Sequence, residues 1–345
     1  MIVDIPSGDD FRVAAYDFLD LAWDNATQLL IDRVETAESI LIDKDLEGTV
    51  LKGDDEYWRS AMPLLSSSLA LVQQAIEFCL KGKIADVSPF LLINDKPQNW
   101  PSKCSTEDIP FSRYRTLDAQ DLPRVHDTVA PIRLPTNFSK WYEDVRTRRN
   151  RIMHSVQKSF ELRDMDIIQA VLETNEIFSG SQTWLNHRRE YLTERIPRRI
   201  NEKFMSDFSF VGEKPISRSS HVLRELQYET MTVIEMMEPS LVLRFFNFPK
   251  KQRRYLCLHC LSIRQNDYFF EYKNLEEFCL NTAVLVDKKP TCDRVNCIIC
   301  GGTYRVNRQD CNEQECQSNV IDSHNGLCLI HDTYIEEDVS IQSSL

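Results

Sequence analysis

Apolar positions recur at helical spacing along the first two thirds of the chain and give way to short apolar runs beyond it. Phe11, Ala14, Ala15, Phe18, Leu19, Ala22, Ala26, Leu29 and Leu30 predict an amphipathic helix from about residue 10 to about residue 40. Leu65, Leu69, Val72, Ile76 and Leu80 form one stripe of a second helix, from about Tyr57 to Lys81, with Gly82 as its stop. Its other face carries Gln73, Gln74, Glu77 and Lys81. Pro89, Pro97, Pro101 and Pro110 predict a long connection over 85–117, followed by a short helix around 118–129. Pro135-Thr136-Asn137 offers a cap for a helix with Phe138, Trp141, Val145, Arg149 and Ile152 on one face, through about Gln157. An arginine thus takes a place in an apolar stripe.

Further helical segments fall at 161–178, 182–204 and 219–237, the last two readable as a linker. After Pro239 the runs LVLRFFNF, RRYLCLHCLSI, YFFEY and NTAVLV predict short strands or buried runs. The expected fold class is multidomain α+β. An all-α bundle spans 1–180, a helical linker or bundle extension 181–239, and a partly β domain 240–345. The last ends in a tail in which residues 309–345 hold eight acidic and no basic side chains.

Charge sharpens this division. The 345 residues carry 53 acidic and 41 basic side chains, a net charge of -12, and the first sixty hold fifteen of the acids against five bases. A surface that coats nucleic acid throughout is disfavoured. No apolar stretch is expected to reach the roughly 18 residues of a membrane helix. The start, MIVDIPSGDDFR, lacks the basic-then-apolar pattern of a signal peptide. A cytoplasmic protein with no membrane contact is the expectation. Eleven cysteines, nine of them beyond residue 250, then argue for thiolate chemistry and against a disulfide scaffold.

Within the acidic chain, residues 140–158 hold six basic and two acidic side chains. Asn150 and His154 are four apart and share a helix face, with Arg149 beside them. Histidine moves a proton near neutral pH, arginine stabilises phosphate oxygens, and an amide orients either group, a set suited to RNA cleavage by the ribose 2'-hydroxyl without a metal. The plainer alternative is a basic helix face that answers the acidic first sixty residues.

Arg149-Asn150-Arg151-Ile152-Met153-His154 resembles the R-x4-6-H motif of HEPN domains, including the polar residue directly after the arginine. The stretch Leu71 to Lys81, with its Q-x-A-x-E-x-x-x-K character, and the Leu122 to Val129 segment with His126-Asp127 resemble the upstream context of that family. The resemblance spans roughly residues 10–180. It implies a four- or five-helix bundle and a homodimer whose facing motif helices bring two copies of Arg149, Asn150 and His154 to one cleft. It also implies a metal-independent endoribonuclease that leaves a 2',3'-cyclic phosphate, of the kind found in antiviral defence, toxin systems and RNA processing. A regulatory protein partner fits such an activity. Glu77 has two readings, an acid that holds an active-site group or a helix carboxylate paired with Lys81. His126 is expected to be structural. Arg146, Arg148 and Arg151 are the expected secondary RNA contacts. Two further basic stretches, Arg188 to Arg199 and Lys250 to Arg254, can extend an RNA groove or meet a partner's acidic face.

Cys257-x2-Cys260 and Cys297-x2-Cys300, separated by 36 residues, supply the four thiolates of a closed structural zinc site, and Gly301-Gly302 permits a tight turn after the second pair. The flanking runs fit two knuckles on β-hairpins, and the whole resembles a zinc ribbon. Unpaired buried thiols and an iron–sulfur cluster are the alternatives. A second site is conceivable from Cys311, Cys316 and Cys328 with His324 or His331, and Cys292 lies close enough to replace a ligand of the first. No H-E-x-x-H motif supports a zinc hydrolase. The competing function is a non-catalytic dimeric module that binds nucleic acid or protein around a structural zinc.

Overall fold

The computed structural model describes residues 1–42, 50–101, 106–154, 162–207, 218–265, 281–287, 289, 291–311, 316, 318–324 and 328–330. Side chains are described for these except at 37–42, 50–56, 153–154, 196–207, 218–221 and 262–265. The chain is α+β, mostly helical with a small antiparallel sheet toward the C-terminal end, and divides into Met1–Ser181 and Gln182–Leu345.

In the first unit, α1 (Gly8–Ile42) pairs with α2 (Val50–Val87). Ser7 and Asp10 cap α1 reciprocally: the Asp10 amide donates to Ser7 Oγ at 3.1 Å, and the Ser7 amide and hydroxyl donate to the Asp10 carboxylate at 2.8 and 2.7 Å. Ala15, Leu19, Ala22, Trp23, Ala26 and Leu30 of α1 are buried with Leu65, Leu69, Val72, Ile76, Leu80 and Ile84 of α2. The alanines let the two backbones approach closely.

Gly82 does not end α2, which continues to Val87. A Cβ at Gly82 would stand 3.0 Å from the Gly8 carbonyl oxygen, and one at Gly8 would stand 2.8 Å from the Gly82 carbonyl oxygen. The glycine serves close helix approach rather than termination. Arg12 reaches Asp86 at 2.6 Å across the same contact.

Contrary to the membrane expectation, Tyr57–Val87 of α2 is long and apolar enough to cross a bilayer. Half of its most apolar window is buried inside the protein, with Leu65, Leu69, Val72, Ile76, Leu80 and Ile84 in the core, which accounts for much of its apolarity. The 85–117 connection carries short 3-10 turns at Pro89–Leu92, Pro97–Asn99 and Phe111–Arg113. It also holds β2 (Ile109–Pro110), parallel to β1 (Ile2–Val3). Then follow α3 (Leu122–Val129), α4 (Phe138–His154) and α5 (Asp164–Ser179). α2 touches all three, and α5 also lies on α1. Arg33 pairs with the buried Asp164 at 3.2 Å, and Trp141 Nε1 of α4 donates to Glu173 of α5 at 2.6 Å.

The second unit begins with α6 (Trp184–Asp207) and α7 (Arg218–Met236), packed on each other. Residues 182–239, expected as a linker or bundle extension, therefore cluster with the cysteine-bearing segments. LVLRFFNF is not a strand but the core of α8 (Pro239–Phe246). Pro239 presets the first turn, Val242, Phe245 and Phe246 are buried at helical spacing, and Asn247 closes the helix at φ 51°. RRYLCLHCLSI likewise leads into α9 (Leu258–Gln265), with only Tyr255 bridging to a strand. NTAVLV does supply a strand. The antiparallel order is β3 (Ala283–Leu285), β4 (Arg294–Cys297), β5 (Thr303–Asn307) and β6 (Ile321–Asp322). Its register pairs Val284 with Asn296, Val295 with Tyr304 and Val306 with Asp322. YFFEY lies outside the described residues.

Candidate functional site

The motif helix α4 is seated by Phe138, Tyr142 and Val145, buried at helical spacing. Arg146 and Arg149 continue that face and are half-buried, while Arg148, Asn150 and Arg151 are exposed. Arg149 Nη1 donates to Asn150 Oδ1 at 3.0 Å, and Arg149 Nε is buried with no acceptor among the described residues. Position 154 follows Asn150 by one helical turn, but the His154 side chain lies outside the described residues. Arg146 pairs with Glu143 at 2.8 Å, and Arg148 pairs with Asp144 at 2.9 Å and reaches Asp166 at 3.8 Å.

Glu77 accepts a hydrogen bond from Gln73 at 2.6 Å and approaches α4 at Tyr142. Burial first, and then the Glu77 carboxylate, raise the Tyr142 phenol well above its ordinary pKa. Tyr142 precedes Arg149 by seven residues, about 10 Å along a helix axis. No hydrogen bond links Glu77 to Arg149 among the described residues. His126 is buried, its Nδ1 is 3.0 Å from Asp127, and Asp127 accepts the Leu134 amide at 2.9 Å, so the pair clasps the turn after α3. Burial works to raise the Asp127 pKa, but the Leu134 amide and His126 outweigh it and hold the carboxyl below its usual range.

Among the described residues, several cations of the other two basic stretches pair within their own unit, whereas Lys251 and Arg253 are exposed and the Arg198 and Arg199 side chains lie outside the described residues. Arg188 is fully buried and pairs with Glu229 through Nε and Nη2 at 3.0 and 2.8 Å. Arg195 donates to Tyr191 at 2.9 Å. Lys250 bonds the Met237 carbonyl at 3.2 Å, and Arg254 pairs with Glu235. These cations hold their own unit together.

Cys257, Cys260, Cys297 and Cys300 converge, their sulfurs all within 4.8 Å of one another. Cys257 to Cys300 is 3.7 Å and Cys260 to Cys297 is 3.8 Å. A tetrahedral zinc with Zn–S bonds of about 2.3 Å sets its sulfurs about 3.8 Å apart, whereas a disulfide needs about 2 Å. The second pair sits on a β-hairpin as expected, at the β4–β5 turn, where Gly301 takes φ +71° and Gly302 leaves room for the Tyr304 ring. The first pair instead opens α9.

Polar groups surround two of these sulfurs. Gly302 N–H reaches Cys300 Sγ at 3.4 Å, Tyr304 Oη lies 3.2 Å from the same sulfur, and Thr282 Oγ1 lies 3.3 Å from Cys297 Sγ. Neighbouring Cys257, Cys297 and Cys300, with burial, push the Cys260 thiol up, while Cys257, Cys260 and Cys297 push Cys300 down. A divalent cation held by the four sulfurs would resolve that conflict by favouring the charged form of each. Thr282 and Tyr304 carry no expectation from the sequence, and Arg189, read there as part of a basic stretch for RNA or a partner, instead donates its Nη2 to the Ile299 carbonyl inside the second knuckle at 2.6 Å. Only Tyr304, four residues after Cys300, is near enough along the chain to have been found.

Cys311, Cys316 and Cys328 form a second group with sulfurs within 4.8 Å. Cys292 belongs to neither group and donates to the Arg294 carbonyl at 3.3 Å. His324 is exposed and stands outside the second group, and His331 lies outside the described residues. Both groups can hold a metal ion. Comparison with protein-family models, curated proteins and solved structures finds no match to this chain.

Proposed function

We propose that the protein is a homodimeric, metal-independent endoribonuclease of HEPN type whose second unit is a zinc-ribbon-like module held by a structural zinc on Cys257, Cys260, Cys297 and Cys300. The observation that carries the reading is the Arg149–Asn150 hydrogen bond on α4, which presents a guanidinium and an amide together, one turn before His154.

In this mechanism the substrate's own 2'-oxygen attacks phosphorus and the bond from phosphorus to O5' breaks. His154 of one copy takes the 2'-hydroxyl proton, His154 of the other protonates O5', and the products are a 2',3'-cyclic phosphate and a 5'-hydroxyl. Arg149 stabilises the charge gathering on the phosphoryl oxygens, and Asn150 holds the guanidinium in place. Arg146, Arg148 and Arg151 are the outer phosphate contacts, and Glu77 supports the α2–α4 face. Four thiolates close the metal shell, so the zinc stabilises the fold and takes no part in cleavage. Antiviral defence or a toxin system, with a regulatory protein partner, is the setting that suits such an enzyme in an acidic cytoplasmic chain.

Cleavage assays on purified chain test this. His154→Ala is expected to lower the rate by about 10² to 10⁴, Arg149→Ala to lower it as well, and a substrate with 2'-deoxyribose at the scissile position to resist. Full-rate cleavage by a folded double variant, or dependence on added divalent metal with equal cutting of the deoxy substrate, sinks the reading.

One observation favours a second reading, a non-catalytic dimeric module that binds nucleic acid or protein. Arg146 and Arg148 are already paired with Glu143 and Asp144. A chain that dimerises and binds RNA without cutting it would establish that reading.

A further inference from the structure

We infer a second zinc site, with Cys311, Cys316 and Cys328 as three of its ligands, independent of the nuclease reading. Cys316 and Cys328 sulfurs are 3.6 Å apart, close to the edge of about 3.8 Å in a tetrahedral zinc–sulfur site and far from the bond of about 2 Å in a disulfide.

The backbone around these sulfurs repeats the first site. There the amide two residues after Cys300 donates to its sulfur. Here the Ser318 amide donates to Cys316 Sγ at 3.4 Å and the Ile330 amide to Cys328 Sγ at 3.5 Å, again from two residues downstream. Hydrogen bonds aimed at a sulfur stabilise its charged form, the form that binds metal. The third ligand is fixed by the Cys311 amide, which donates to the Ser318 carbonyl at 3.0 Å.

Packing does not explain why this arm folds. Among its described residues after β5, Val320 and Leu329 are the large apolar side chains that are buried, and β6 is two residues long. Two buried apolar side chains contribute little packing to these described residues, so a cross-link would add much to their stability. A metal supplies that link. His324 is exposed and outside the cluster, so it does not complete the shell.

Metal analysis of the reduced full-length chain tests the assignment. Wild type should hold about two zinc ions per chain, and Cys316→Ser and Cys328→Ser about one each. Because a variant can fail to fold, cobalt(II) titration of reduced, metal-free wild type provides a second measurement: sulfur-to-cobalt charge-transfer absorption should rise until about two equivalents are bound. Saturation at about one equivalent, zinc content unchanged in Cys316→Ser and Cys328→Ser, or a Cys316–Cys328 disulfide in protein purified under native conditions would overturn the site. Saturation at one that Cys297→Ser abolishes leaves the first site standing and removes only the second.

Discussion

Leu256 donates its amide to the Leu329 carbonyl at 2.6 Å, which ties the residue before Cys257 to the residue after Cys328. Tyr255 adds a bond from its hydroxyl to Asn319 at 3.0 Å and a backbone bridge to Ala283. One short segment thus runs between the two cysteine groups. Metal removal is therefore expected to open both together. Hydrogen exchange should find the Leu256 amide protected in metal-loaded protein and exposed in chelator, with α1 and α2 amides unchanged. Equal loss of protection in both units would contradict this.

Arg189 supports the first cysteine group from outside its ligand shell, through the Ile299 carbonyl. Arg189→Ala should weaken metal binding by about 10- to 100-fold, as loss of an outer-shell partner does. Competition with a chromophoric chelator measures the change. An affinity equal to wild type would show that the turn needs no support from α6.

The adjacent Arg188 makes a different prediction. Its guanidinium and the Glu229 carboxylate are both buried and doubly bonded. Removing one partner strands a charge, so Arg188→Ala should cost about 3 to 5 kcal/mol in denaturant unfolding of the second unit. Arg188→Met combined with Glu229→Leu should recover most of that loss, since neither charge is then left alone.

The cap of α1 carries a pH dependence. Hydrogen bonds from the Ser7 side chain and amide hold the Asp10 carboxyl below its ordinary pKa. A depressed folded value means that this stabilisation is complete above the unfolded pKa, about 3.9, and disappears as pH falls through the lower folded value. Asp10→Asn should therefore melt earlier than wild type near neutral pH, and the gap should close in strong acid. Thermal melts across that range check both signs.

Much of the helical unit was legible because its stripes are strict: Leu65, Leu69, Val72, Ile76 and Leu80 repeat every three or four residues and are buried as that repeat requires. The cysteine pairs were equally plain, since ligand spacing is a local property. What escaped depends on distant contacts. Gly82 reads as a stop unless Gly8 is known to lie against it. The apolar run around Val242, Phe245 and Phe246 has β-like composition but helical burial. Nor does composition separate Arg188, buried against Glu229, from arginines that meet solvent.

The orientation of Arg189 bears on how such a protein can be assembled by recombination. A break at residue 240, where the aromatic runs begin, would deliver the cysteines to a new host without the helix that grips the Ile299 carbonyl. A break near residue 182 keeps helix and knuckle on one piece. The fragment to express when the cysteine region is wanted alone therefore begins at α6.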